Sequence, residues 1–192
     1  MDYIEYVNLG SYLFNTVRTR FATQGYLDAF DFFSIVIWKA NRAKSKIAKK
    51  MINHGGVPLE AIVRIITEGI SQAATPEEKL RILWDGEFRV SMASAILTVL
   101  YPEEFTVYDY RVCDVLGIPK ILDTFKNFKI VWAGYQDYKA KVIANTPSGL
   151  SLREKDLYLW GKSRADQLID DIKIGISPRK KHNDGDEDSS DG

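Results

Sequence analysis

The sequence predicts an all-α domain, and three observations carry that expectation. Apolar residues recur at helical spacing through most of the chain, two Ser/Thr-x-x-Glu boxes mark helix starts, and β-branched alternation between turns is scarce. The length of 192 residues fits one domain with a tail. With 45% apolar and 12% aromatic residues there is material for a substantial core.

The elements follow in order. Ala29, Phe30, Phe33, Val36 and Ile37 share one helix face, and Ile47, Ala48 and Met51 continue a face until His54-Gly55-Gly56 stops it. Leu59, Ile62, Val63, Ile66 and Ile70 make the next stripe, with Pro58 in a permitted first turn. Thr75-Pro76-Glu77-Glu78 is a capping box that opens a helix. Ala93, Ile96, Leu97 and Leu100 form a stripe ended by Tyr101-Pro102, and Val131, Tyr135, Tyr138 and Val142 form another. A second capping box, Ser151 to Glu154, opens a helix expected to turn Leu157, Trp160, Leu168 and Ile172 inward and to bend at Gly161. About eight to ten helices are expected, in a domain over 1–175 followed by a disordered charged tail over 176–192.

Composition narrows the function classes. The net charge is zero, but the tail holds five acidic and three basic side chains, leaving the body basic by two. No acidic residue lies between Asp31 and Glu60, where Lys39, Arg42, Lys44, Lys46, Lys49 and Lys50 crowd into twelve positions. That stretch reads as the solvated face of a helix or as a surface for phosphates. The single Cys113 excludes an internal disulfide, an all-cysteine zinc site and a cysteine-ligated iron–sulfur cluster within one chain, and reads as a buried small hydrophobe. His54 reads as a helix-end residue and His182 falls in the tail, so no metal or other cofactor is expected. No stretch is apolar enough for a membrane span, and the mixed, acidic N-terminus is unlike a signal peptide, which points to the cytoplasm.

Residues 80–116 are the most informative. They read as a short helix, a tight turn at Asp85-Gly86, a helix from about Arg89 to Leu100 with small residues at Ser91, Ser94, Ala95 and Thr98, a proline-started loop, and Asp109 at the start of another helix. Such a helix start presents unpaired N–H groups to an anion, and an Asp there is often an N-cap.

Met92 to Leu97, Tyr101-Pro102-Glu103 and Phe105 to Val112 resemble the helix-hairpin-helix (HhH-GPD) DNA glycosylase superfamily, as a small divergent member. Trp38-Lys39 and Leu152 to Trp160 are similar to flanking segments of small members. The resemblance implies that Asp109 is the catalytic aspartate, an ionised carboxylate beside the sugar C1′ that stabilises oxocarbenium-like charge and orients or deprotonates water. The family's hairpin reads Gly-hydrophobic-Gly, where this chain has Glu87-Phe88-Arg89 with only Gly86 nearby, a degenerate hairpin. Ser91 stands where bifunctional members carry a Schiff-base lysine, which implies a hydrolytic, monofunctional N-glycosylase acting on a damaged base without a cofactor.

The implied DNA contacts are Lys39, Arg42, Lys44, Lys46, Lys49, Lys50, Gly86, Arg89 and Ser91. Trp38, Trp84, Trp132 and Trp160 read as core residues or as a base-stacking wall. A non-catalytic nucleic-acid-binding module of the same fold and a protein-interaction domain stay open beside the enzyme.

Overall fold

The computed structural model describes residues 3–175. The tail from Ile176 and its His182 lie outside the described residues, as does the His54 side chain. Among the described residues the fold is all-α, with no strand. The elements are α1 (Tyr3–Val7), α2 (Leu9–Ser11), a π-helical turn (Tyr12–Val17), α3 (Arg18–Gln24), α4 (Ala29–Ala40), a 3₁₀ turn (Asn41–Ala43), α5 (Lys44–Gly55), α6 (Leu59–Gln72), α7 (Pro76–Asp85), α8 (Val90–Leu100), α9 (Tyr110–Leu116), a second 3₁₀ turn (Leu122–Thr124), α10 (Phe128–Ala144) and α11 (Leu152–Lys173). Nine of these α-helices have seven residues or more, within the expected range. None is long and apolar enough to cross a membrane.

Local chemistry sets the boundaries. Both capping boxes form: the Thr75 and Ser151 side chains accept from the Glu78 and Glu154 N–H groups, and each glutamate reaches back to its cap. Gly56 ends α5 with φ 62°, a left-handed conformation that glycine adopts freely. Helix α8 is apolar or small on every side and is accordingly buried all round apart from half-buried Ser91. Helices α3, α4, α7 and the π turn pack around it, while α9 and α10 pack on α11.

Two expected faces are corrected. In α4 the buried residues are Asp31, Phe32, Ser34, Ile35 and Val36, whereas Phe30 is exposed. The inward face is turned because Asp31, wholly buried, accepts a hydrogen bond from Tyr12 Oη at 2.6 Å and pairs with Arg20. In α11 the buried residues are Lys155, Asp156 and Leu159; Leu168 and Ile172 are exposed, and Leu157 and Trp160 border a pocket rather than the core. The helix runs unbroken through Gly161.

The segment between α8 and α9 is neither helix nor strand and is buried from Phe105 to Tyr108, so its backbone needs partners other than a sheet. Side-chain hydroxyls supply them. Tyr135 Oη accepts from the Thr106 N–H at 3.0 Å and donates to the Thr106 carbonyl at 2.8 Å. Tyr138 Oη donates to the Val107 carbonyl at 2.7 Å, and Ser94 Oγ accepts from the Tyr108 N–H at 2.9 Å. The segment is thereby fixed to α10 and α8, and Asp109 emerges from it at a determined place.

Candidate active site

Asp109 is the N-cap of α9: its Oδ1 accepts from the Arg111 N–H at 2.9 Å. Its second oxygen, Oδ2, accepts from Lys39 Nζ at 2.5 Å, in an ion pair whose side chains are only 14% and 15% exposed. Capping thus uses one oxygen and the ion pair the other, and both Asp109 and Lys39 line a cavity of about 220 Å³ with Trp38, Val107, Arg153, Asp156, Leu157 and Trp160. This volume lies below the roughly 300–1,000 Å³ of drug-sized ligand pockets and suits one planar heterocycle.

Three separate segments build the cavity. The C-terminal end of α4 brings Trp38 and Lys39, the α8–α9 segment brings Val107 and Asp109, and the first turns of α11 bring the rest. On α11, Arg153, Asp156, Leu157 and Trp160 stand at i, i+3, i+4 and i+7, a single helix face. The Arg153 guanidinium pairs with Asp156 and lies over the Phe14 ring, 4.3 Å from its centroid, and 5.3 Å from that of Trp38. Phe14 belongs to the π turn and meets Trp38 edge-on, so the turn buttresses this wall.

The two carboxyl groups of the cavity differ. Asp156 is buried, and burial pushes its pKa up to about 6; Arg153, the Thr106 hydroxyl at 3.3 Å and the nearby charge of Lys39 pull the other way. Burial also lowers the Arg153 pKa. Asp156 in turn raises the pKa of Tyr135 and Tyr138, where burial is the larger cause.

The predicted nucleic-acid contacts divide into groups. Lys39 is set apart from the other lysines by its pair with Asp109. It also borders an adjoining groove between α4–α5 and the α7–α8 turn, which takes in Lys46, Lys50, Gly86, Glu87, Arg89 and Ser91. Lys50 reaches Glu87, at 3.0 Å to its carboxylate. Arg42, Lys44, Lys46 and Lys49 are exposed. The α8 N-terminus already holds a carboxylate: the Ser91 N–H donates to Asp123 Oδ1 at 3.1 Å, and Arg89 donates to the Asp123 carbonyl at 2.8 Å. The left-handed position of the α7–α8 turn is Glu87, with φ 63°, and not Gly86.

Trp38 and Trp160 line the cavity, whereas Trp84 and Trp132 pack against the core. Cys113 is buried, and burial raises its pKa. Arg153 and Asp156 were missed in the sequence reading, although the i, i+3 spacing of opposite charges ahead of Trp160 was visible. Comparison of the chain with protein-family models, curated proteins and solved structures gives no match.

Proposed function

We propose that the chain is a DNA base-excision protein, a hydrolytic N-glycosylase that draws a damaged base into the Trp38–Trp160 cavity. The observation that carries this reading is Asp109: a half-buried carboxylate with one oxygen fixed as a helix cap, it faces a nucleobase-sized cavity between two tryptophans. Asp109 would sit at C1′ and stabilise the positive charge that develops as the glycosidic bond breaks, with Lys39 holding the carboxylate in place. The adjoining groove with Lys46 and Lys50 supports a path for the phosphate backbone. Single-turnover release of base from duplexes carrying one oxidised, alkylated or deaminated base tests it. Release is expected, and a non-catalytic binding module would bind the same duplexes without releasing any.

A second reading rests on Lys39. Its side-chain nitrogen lies 2.5 Å from Asp109 at the cavity, which supports a lysine from α4 in the role that the family resemblance gives to the position of Ser91. An amine attack at C1′ would leave an imine that borohydride traps as a covalent protein–DNA adduct. Hydrolysis by water leaves none. An adduct lost in Lys39→Met would favour the lysine reading.

A further inference from the structure

Breaking an N-glycosidic bond sends an electron pair into the departing ring, and a proton delivered to a ring nitrogen makes that departure easier. The cavity's lining shows which side chain can deliver it. The ammonium of Lys39 is engaged by the Asp109 carboxylate at 2.5 Å. Arg153 does not give up a proton near neutral pH, and the tryptophan N–H groups are not acids there. Val107 and Leu157 carry no polar side-chain group. Asp156 is left: buried to 4% exposure yet part of the cavity wall, on a different segment from Asp109. Two carboxyl groups in one cavity, one paired with an ammonium and partly buried, the other buried to a greater depth, form the pattern that separates an acid from a base.

We propose that Asp156 is the general acid of this cavity, protonating the departing base while Asp109 takes a proton from the attacking water. The proposal rests on the glycosylase reading. The Asp156 proton moves to a ring nitrogen, and the C1′–N bond pair stays with the base. The water oxygen forms the new bond to C1′, and its proton passes to Asp109. The products are the free base and a sugar hydroxyl, and both carboxyl groups return to their starting states by exchange with solvent.

The surroundings of Asp156 fit the role. Arg153 from its own helix, Lys39 from α4, the Thr106 hydroxyl from the α8–α9 segment, and Tyr135 and Tyr138 from α10 are the polar groups around it. Burial outweighs the cationic partners and pushes the carboxyl up to about 6, so roughly a tenth of the molecules carry the proton at pH 7.

The test is the pH profile of single-turnover base release, from pH 5 to 8, on duplexes carrying one 8-oxoguanine, 7-methylguanine, hypoxanthine or uracil. In the wild type the rate is expected to fall about tenfold per pH unit above about 6. Asp156→Asn should flatten that limb and slow release at pH 6 by about a hundredfold or more. Thr106→Val, nearly isosteric, removes a hydrogen bond that favours the carboxylate, so the limb should move to higher pH and remain. A limb unchanged in Asp156→Asn, or unmoved in Thr106→Val, overturns the assignment of the acid while leaving the glycosylase reading standing. No release from any of the four duplexes at any pH overturns both.

Discussion

Asp156 ties stability to pH in a direction opposite to most carboxyl groups. Its folded-state pKa of about 6 lies above the ordinary value of 3.8, so between those values the folded protein binds a proton that the unfolded chain releases. Stability from this group is therefore fully present below 3.8 and is lost as pH rises through about 6. Moving from pH 7.5 to pH 5 crosses about one unit of that window, worth about 1.4 kcal/mol. Glu154 has the opposite sign: its capping box holds its pKa below the ordinary 4.5, and its contribution fades only in more acid solution than this range. Groups common to both proteins cancel in a comparison of wild type with Asp156→Asn. Urea unfolding of the two at pH 5 and pH 7.5 is the assay. The wild type should gain about 1 kcal/mol more than the variant on acidification. Loss of the Arg153 partner shifts the variant's stability at both pH values and leaves this difference intact. Equal pH dependence in the two proteins would refute the perturbed carboxyl.

Further outcomes follow from other parts of the structure. Asp31→Ala leaves the buried Tyr12 hydroxyl without its partner while the part-exposed Arg20 stays solvated, and should cost about 1–3 kcal/mol in urea unfolding; a cost below about 0.5 kcal/mol would show that the pair is dispensable. Glu87→Gly relieves a left-handed non-glycine residue and loses an exposed pair with Lys50, so it should be neutral or stabilising by up to about 1 kcal/mol; clear destabilisation would contradict the strain. Changing Lys44, Lys46, Lys49 and Lys50 to Gln should weaken duplex binding and remove roughly three units from the slope of log K against log salt. An unchanged slope removes this surface from the phosphate path.

Short-range signals made much of the fold legible in the sequence. Both capping boxes, the glycine stop after His54 and the start of α9 at Asp109 are decided by residues within a turn of each other. Inward faces were harder where a charge is buried. The apolar stripe in α4 misled because Asp31 is satisfied by Tyr12 and Arg20, nineteen and eleven residues earlier. In α11, Lys155 is buried through bonds to Thr146 Oγ1 and the Pro147 carbonyl, which no apolar pattern reveals. The cavity has the same character. Local setting marks Asp109 as a helix cap and only the family resemblance singled it out as a site residue, while Lys39 lies seventy residues away in sequence and Asp156 reaches Thr106 across fifty. The occupation of the α8 N-terminus by Asp123, thirty-two residues beyond Ser91, is likewise a product of the packed fold.

Asp109→Asn measures the role of the cavity most directly, because asparagine still caps α9 while removing the carboxylate charge and with it the ion pair to Lys39. The measurement is single-turnover base release and duplex affinity on the same preparations of wild type and variant. With Asp109 at C1′, affinity should stay within a few-fold and release should fall by at least about a hundredfold. Release that survives the substitution would place the chemistry elsewhere and contradict the role given to this cavity.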